Sequence, residues 1–501
     1  MLTVAAPAEP VSCEAFADSL SMQGLVTLTA SRTVAAGQGE AAPGGAASML
    51  PEHCLVEGVI NQREGFGGVE YGIGFQLRLP TEWSGRFLLQ GGGGLNGMVR
   101  PAIGPVAAGD TPALARGFAV ASHDSGHRGE VFDASFNADQ RASLDFAESA
   151  VPVVTQTART LTAMFYGREP HHSYMTGCST GGREGMLASQ RYPELFDGIV
   201  IGAPAMRPGH SNLAIEWAQV QLNRTLPASA EGPASFAPAE IATIERELTR
   251  QCDVADGRED GIVANVAACR AFDVESLVCQ PGDSGECLSP ERAEALGAIM
   301  AGPQDASGRP VYVPFPWDTG ITWSGPGLPG FLPAGQPSPF GPASTARSMD
   351  VDARLHGLRW DAAGRLTDTA YWTNLSTYLG RGAKLMFFHG VSDPWFSAWD
   401  TWDYFQRAAE ANGEAPWNDA ARFYMVPGMG HCSGGDAYDS FDMLGPLVDW
   451  VEREEAPGPV TAHRTSGEEA AMPLCPHPSY AHYTGGDAST PSSYECRSPQ
   501  G

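Results

Sequence analysis

Positive charge is scarce in this chain: 31 Lys and Arg stand against 58 Asp and Glu, a formal net charge of −27. That balance repels phosphate backbones and anionic bilayers, so nucleic acid and an acidic membrane surface are excluded as partners, and the plain effect of the charge is solubility. No run of about eighteen apolar residues occurs, which excludes a membrane-spanning helix. No internal repeat is visible. There is no C-x-x-C pair, so a zinc site built on one is excluded. The start, Met1 to Pro7, has neither a basic n-region nor an adequate apolar h-region, so an exported form is expected to have lost its signal already.

What is present is a large potential core. The 501 residues are 43% hydrophobic and include 60 Gly and 39 Pro, which points to one large α/β core with an inserted domain and a loop-rich surface. Ten cysteines fit five disulfides, and with them an oxidising compartment, secreted or periplasmic. Local pairs suggest themselves: Cys13 with Cys54, Cys252 with Cys269, Cys279 with Cys287 and Cys475 with Cys496. Cys178 and Cys432 remain, either bonded to each other or as two free buried thiols.

Taken in order, the N-terminal segment to about Pro51 is rich in Ala, Gly and Pro and is expected to be irregular. Phe75–Leu79 and Arg86–Gln90 read as strands, the second running into Gly91-Gly92-Gly93-Gly94-Leu95-Asn96-Gly97, where backbone N–H groups can approach a ligand with no side chain between. Phe118–Ser122 is another apolar run, followed by His123-Asp124-Ser125-Gly126-His127, residues that suit either a site lining or a structural role at a strand end. A helix over Ala147–Phe165 leads to a strand over His172–Thr176, a helix from Arg183, and a buried strand at Gly198–Pro204, the crossover unit of a parallel sheet. Strand signals then fade until Lys384–Phe388 and Arg422–Val426, and a helix at Met443–Val451 closes the core. The expected architecture is a mostly parallel α/β core (residues 1–206 and 383–501, with a cysteine-pinned tail) interrupted by an inserted lid domain (residues 207–382).

Between the strand and helix around residue 178, Gly177-Cys178-Ser179-Thr180-Gly181 fits G-x-S-x-G, the turn that lifts a nucleophilic serine above a sheet edge. Acyl transfer by Ser179 needs a base, a carboxylate to orient it and N–H donors for the oxyanion. Asp393 follows one strand in His389-Gly390-Val391-Ser392-Asp393, and His431 follows the next in Gly428-Met429-Gly430-His431-Cys432. The order Ser179, Asp393, His431 is that of α/β-hydrolases, with both polar residues past strand C-termini. A bond between Cys178 and Cys432 would hold two Cα atoms within about 4.4–6.8 Å and so fix the serine turn beside the histidine turn.

Together the Gly177–Gly185, His389–Asp393 and Gly428–Cys432 motifs resemble the tannase and feruloyl esterase family, with its CS-D-HC arrangement; the cysteine pattern, Gly91–Gly97 and Phe441-Asp442-Met443-Leu444 are most similar to the branch acting on mono(2-hydroxyethyl) terephthalate. The resemblance implies a Cys178–Cys432 disulfide, oxyanion donors from the backbone of Gly94 and Thr180, and an acyl pocket lined by His389 and Phe396. It also implies a structural calcium ion in the lid, held by Asp253, Asp256, Asp260 and the carbonyls of Arg258 and Ile262. Read from the residues alone, the loop Cys252–Ile262 crowds three carboxylates that repel unless a cation neutralises them. Where terephthalate hydrolases carry a lid arginine and aromatic, the stretch 337–350 offers Phe340 and Arg347 without a secure match, and Thr180 is the residue of general family members. The expectation is therefore a serine esterase for small aromatic acids of feruloyl, galloyl or terephthaloyl type. A dedicated terephthalate monoester hydrolase is the alternative, and a non-catalytic calcium-stabilised binding protein is the alternative of another class.

Overall fold

The computed structural model describes residues 12–19, 25–39, 48–282, 287–322 and 344–499. Phe340 lies outside them.

Nine strands form the main sheet: β1 (Val26–Val34), β2 (His53–Glu64), β3 (Glu70–Pro80), β4 (Arg86–Gln90), β5 (Ala119–His123), β6 (His172–Cys178), β7 (Gly198–Gly202), β8 (Lys384–Gly390) and β9 (Ala421–Val426). Their order is β1-β2-β3-β5-β4-β6-β7-β8-β9. The first three and the β3–β5 pair are antiparallel, and from β5 through β4 to β9 every pair is parallel. Helices cover it, among them α1 (Ala150–Tyr166) before β6 and α2 (Thr180–Arg191) after it. This is a mostly parallel α/β-hydrolase sheet. Strands β4 to β8 are buried on both faces, as their continuous apolar runs require.

The N-terminal segment corrects the sequence reading. Residues 26–34 are not irregular: β1 pairs along β2 from Val26 opposite Ile60 to Val34 opposite His53, and Cys13–Cys54 fastens the preceding turn of helix to the same strand. Its side chains are half-buried or exposed, so the hydrophobic alternation that announces a strand is weak there.

Between β7 and β8 the chain leaves the sheet. Among the described residues, 203–383 contribute helices and short turns and no strand to any sheet. The insertion has its own apolar cluster, in which Leu222, Phe236, Ile244, Leu248, Leu296, Tyr312 and Ile321 pack around the Cys252–Cys269 bond. No helix of the described residues is long and apolar enough to cross a membrane. All ten cysteines are paired, four pairs being the local ones and the fifth Cys178–Cys432, with Cα atoms 6.0 Å apart.

Candidate active site

Ser179 stands between β6 and α2 with φ 63° and ψ −122°, a left-handed backbone that a serine adopts only when its surroundings impose it. They do so through Ser179 N–H to the Gly202 carbonyl (3.0 Å) and Ala205 N–H to the Ser179 carbonyl (3.1 Å). The glycine at 181 is required by close approach, since a Cβ there would lie 2.7 Å from the Gly92 carbonyl oxygen. Ser179 itself is half-buried at the end of a buried strand.

The 428–432 turn is brought to the serine turn by the disulfide between their neighbouring cysteines. His431 is 5% exposed, and its Nδ1 donates to Asp393 Oδ2 at 2.6 Å. With Nδ1–H committed to the carboxylate, the neutral ring carries its lone pair on Nε2, which has no hydrogen-bond partner among the described residues. Asp393 is fixed in turn: its Oδ1 accepts from Trp395 N–H (2.8 Å) and Phe396 N–H (3.1 Å). Burial would raise this carboxyl, but the facing His431 and His389 rings outweigh it and hold the group well below the usual carboxylate range.

His389 does not present a polar atom to the cleft. It is fully buried, with Nδ1 against Thr401 Oγ1 (2.8 Å) and Nε2 against the Phe396 carbonyl (2.9 Å), so it backs the acid loop. Phe396 stands beside the His431 ring, with centroids 5.3 Å apart. The sequence reading missed its neighbour Trp395, which packs closer, at 4.7 Å from His431, and meets Phe132 edge-on at 6.2 Å. Phe132 flanks Gly94, whose absent Cβ would come within 3.4 Å of its ring. An aromatic wall therefore spans from the glycine loop to the histidine.

Gly94 has φ +59°, and a Cβ there would lie 2.5 Å from a Val131 methyl. Its carbonyl accepts from the Thr180 hydroxyl, which draws the loop to the first turn of α2. The backbone N–H groups of Gly94 and Thr180 have no acceptor among the described residues.

A buried ionic network missed by the sequence reading sits under that loop. Glu184, one turn into α2 and 1% exposed, accepts from Gly92 N–H (2.9 Å), Asn96 Nδ2 (3.1 Å) and Ser125 Oγ (3.3 Å), with His123 Nε2 3.6 Å away. Burial alone would push the Glu184 carboxyl up and the His123 imidazolium down. Their facing charges outweigh it, so Glu184 sits at about 2 and His123 above its ordinary value. The His123–His127 stretch is thus interior: Asp124 Oδ1 accepts from Gly74 and Gly126 N–H (both 2.9 Å), and His127 stacks on Phe136 at 3.8 Å.

In the insertion, Asp253 is fully buried and Asp256 is 4% exposed. Asp253 Oδ2 accepts from Gly261 N–H (2.7 Å) while Oδ1 lacks any partner among the described residues, and Asp256 Oδ2 accepts from Ala264 N–H (2.7 Å). Burial, helped by the neighbouring carboxylates, pushes Asp253 up to about 6 and Asp256 up to about 8. An orphaned buried oxygen and carboxyls that resist ionisation fit a hard cation bound by oxygen ligands. Asp260 is engaged elsewhere, with Oδ2 on Arg258 at 2.9 Å, and the three carboxylates do not all bring an oxygen within 4.8 Å of one another. His171, His172 and Glu452 do converge that closely, yet Glu452 is already neutralised by a two-pronged contact from Arg86 (2.7 Å each) and by Tyr174 OH (2.8 Å). Arg347 spends its fork on the carbonyls of Leu226 (2.9 Å) and Pro227 (2.6 Å).

Compared with known proteins, residues 56–330 and 354–497 match the family described as tannase and feruloyl esterase. The chain belongs to that family. Among family relatives, the mono(2-hydroxyethyl) terephthalate hydrolase of Piscinibacter sakaiensis is 37% identical, covering 92% of this chain and 87% of the relative. A probable feruloyl esterase B of Aspergillus clavatus is 30% identical over 77% of this chain and 75% of its own. The crystal structure of feruloyl esterase B from Aspergillus oryzae superposes with a TM-score of 0.77 at 25% identity, covering 97% and 99% of the two chains.

Proposed function

We propose that this protein is a serine carboxylesterase for monoesters of small aromatic acids, working through an acyl-enzyme. The observation that carries the reading is the 2.6 Å bond from His431 Nδ1 to buried Asp393, on a turn covalently joined to the one that holds Ser179 in a strained backbone. Ser179 Oγ attacks the ester carbonyl, and His431 Nε2 takes its proton and returns it to the leaving alcohol. Asp393 holds the tautomer that makes this possible. The Gly94 and Thr180 N–H groups, without acceptors among the described residues, receive the oxyanion. Water, activated by the same ring, releases the acid. Trp395, Phe396 and Phe132 supply the aromatic surface against which the acyl ring lies.

Residues 207–382 act as the lid over this cleft. Asp253, Asp256 and Asp260 with the carbonyls of Arg258 and Ile262 would hold calcium there, a structural role in which the ion would supply charge neutralisation. For Asp260 this requires leaving Arg258. Five disulfides support an oxidising location, secreted or periplasmic.

Hydrolysis of feruloyl, galloyl and terephthaloyl monoesters, compared with that by Ser179→Ala, tests the reading. We expect the variant to lose at least about 1,000-fold in kcat. Undiminished hydrolysis would overturn the mechanism and return the chain to the class of binding proteins. Similarity to the Piscinibacter sakaiensis hydrolase favours a second, narrower reading, a dedicated terephthalate monoester hydrolase. A terephthaloyl preference of hundreds of fold would establish that reading over the broad one.

A further inference from the structure

We propose that Asp318, carried by the insertion, is a positioning residue that holds the Asp393 loop and the His431 loop in register with each other. The inference rests on the esterase reading of those loops. Asp318 belongs to none of the motifs, and its side chain is fully buried. One of its oxygens, Oδ2, accepts from both loops at once: from Ser392 Oγ at 2.7 Å and from Gly428 N–H at 2.7 Å. Ser392 immediately precedes Asp393, and Gly428 opens the turn that ends in His431 and Cys432.

The two loops leave neighbouring parallel strands, β8 and β9, in register from Leu385 opposite Ala421 to Gly390 opposite Val426. Beyond the strands they share Val391 N–H to the Val426 carbonyl (3.0 Å), Ser392 N–H to the Met429 carbonyl (3.0 Å) and the His431–Asp393 bond itself. Asp318 adds a third body that touches both. The segment lies flat against them: a Cβ on Gly320 would fall 2.5 Å from Ser392 Oγ and 2.5 Å from the Gly428 carbonyl oxygen. Thr319, between the two, donates from Oγ1 to the Gly261 carbonyl at 2.5 Å, so the same segment is fastened to the acidic loop.

A carboxylate is a costly way to fill such a place. Burial pushes it up to about 6, and Oδ1 has no hydrogen-bond partner among the described residues. What it supplies is a single acceptor that reaches two donors from different loops. Without it a buried N–H and a buried O–H lose their partner, and the turns they belong to are free to shift. Displacing a base by about 1 Å costs on the order of 100-fold in rate.

The test uses the full chain with Asp318→Asn, Asp318→Leu and Ser392→Ala. Rates are expressed per site titrated with an aryl phosphonate that labels Ser179. The downfield proton resonance of His431 Nδ1–H is recorded in parallel and needs no ester. Asn offers a carbonyl that accepts both bonds, so Asp318→Asn is expected within about threefold of the parent in kcat. Asp318→Leu is expected to lose about 30- to 100-fold in kcat with KM little changed, together with a shifted or broadened resonance. Ser392→Ala falls between. Parent-like kcat per titrated site and an unmoved resonance in Asp318→Leu would overturn the proposal, even with a lowered melting temperature, and so would an equal loss in Asn and Leu. If Asp318→Leu does not fold, a parent-like rate and resonance in Ser392→Ala overturns it. A parent that cleaves no aromatic monoester would count against the esterase reading alone, and the resonance comparison would still decide the part played by Asp318.

Discussion

At the level of single residues, the site is built on buried charge that its partners stabilise. Glu184 is the clearest case, because one carboxylate serves a glycine-loop N–H, two side-chain donors and His123. Breaking a buried pair by removing one partner costs about 3–5 kcal/mol, much more than an exposed ion pair is worth. Glu184→Leu is therefore expected to lower the thermal midpoint and, on the esterase reading, to reduce kcat at least about tenfold, since Gly92 and the glycine loop lose their anchor on α2. A variant with parent-like melting and kcat would show the network to be dispensable. The sequence offered His123 for either a site lining or a structural role, but not its pairing with Glu184. They lie 61 positions apart, and only the pairing of β4 between β5 and β6 brings their elements together. The strand–turn settings of Ser179, Asp393 and His431 were legible because short-range glycines announce each turn.

Among elements, the decisive one is the pair of turns closed by Cys178–Cys432. In the chain-entropy account, a bond across 254 residues restricts the unfolded chain by about 5.5 kcal/mol, against about 2.5 kcal/mol for the eight-residue span of Cys279–Cys287. The long bond also fixes two site turns, whereas the short one closes a loop of the insertion. Replacing Cys178 and Cys432 by Ala is accordingly expected to reduce kcat at least about tenfold, and replacing Cys279 and Cys287 to leave it within about twofold. Equal tolerance of both losses, measured per titrated site, would argue against the clamp. The strands of the parallel half were legible as buried apolar runs. Of the antiparallel edge only β3 was legible, through Phe75–Leu79; β1 alternates too weakly to be seen without its partner.

For the molecule as a whole, the proposed calcium site in the acidic loop makes stability an expected function of pH and calcium together. Asp253 and Asp256 titrate at about 6 and about 8 in the folded chain, above their ordinary 3.8. Without a cation the folded state thus holds protons that the unfolded chain has released between pH about 4 and 8, so stability falls as pH rises through that window. A bound cation replaces those protons and removes the slope. In chelator, the thermal midpoint is expected to fall from pH 5 to pH 8; with millimolar calcium it should stay level, about 5 °C higher at pH 8. Superimposable curves with and without calcium would remove the ion from this account. The Cys178–Cys432 bond has one more consequence, in the order of synthesis. A chain made from its N-terminus presents the Cys178–Ser179 turn 254 residues before the cysteine that secures it. On the esterase reading, a product that ends between residues 179 and 431 carries Ser179 without the Cys178–Cys432 clamp, so hydrolytic power is withheld until residue 432 has been added.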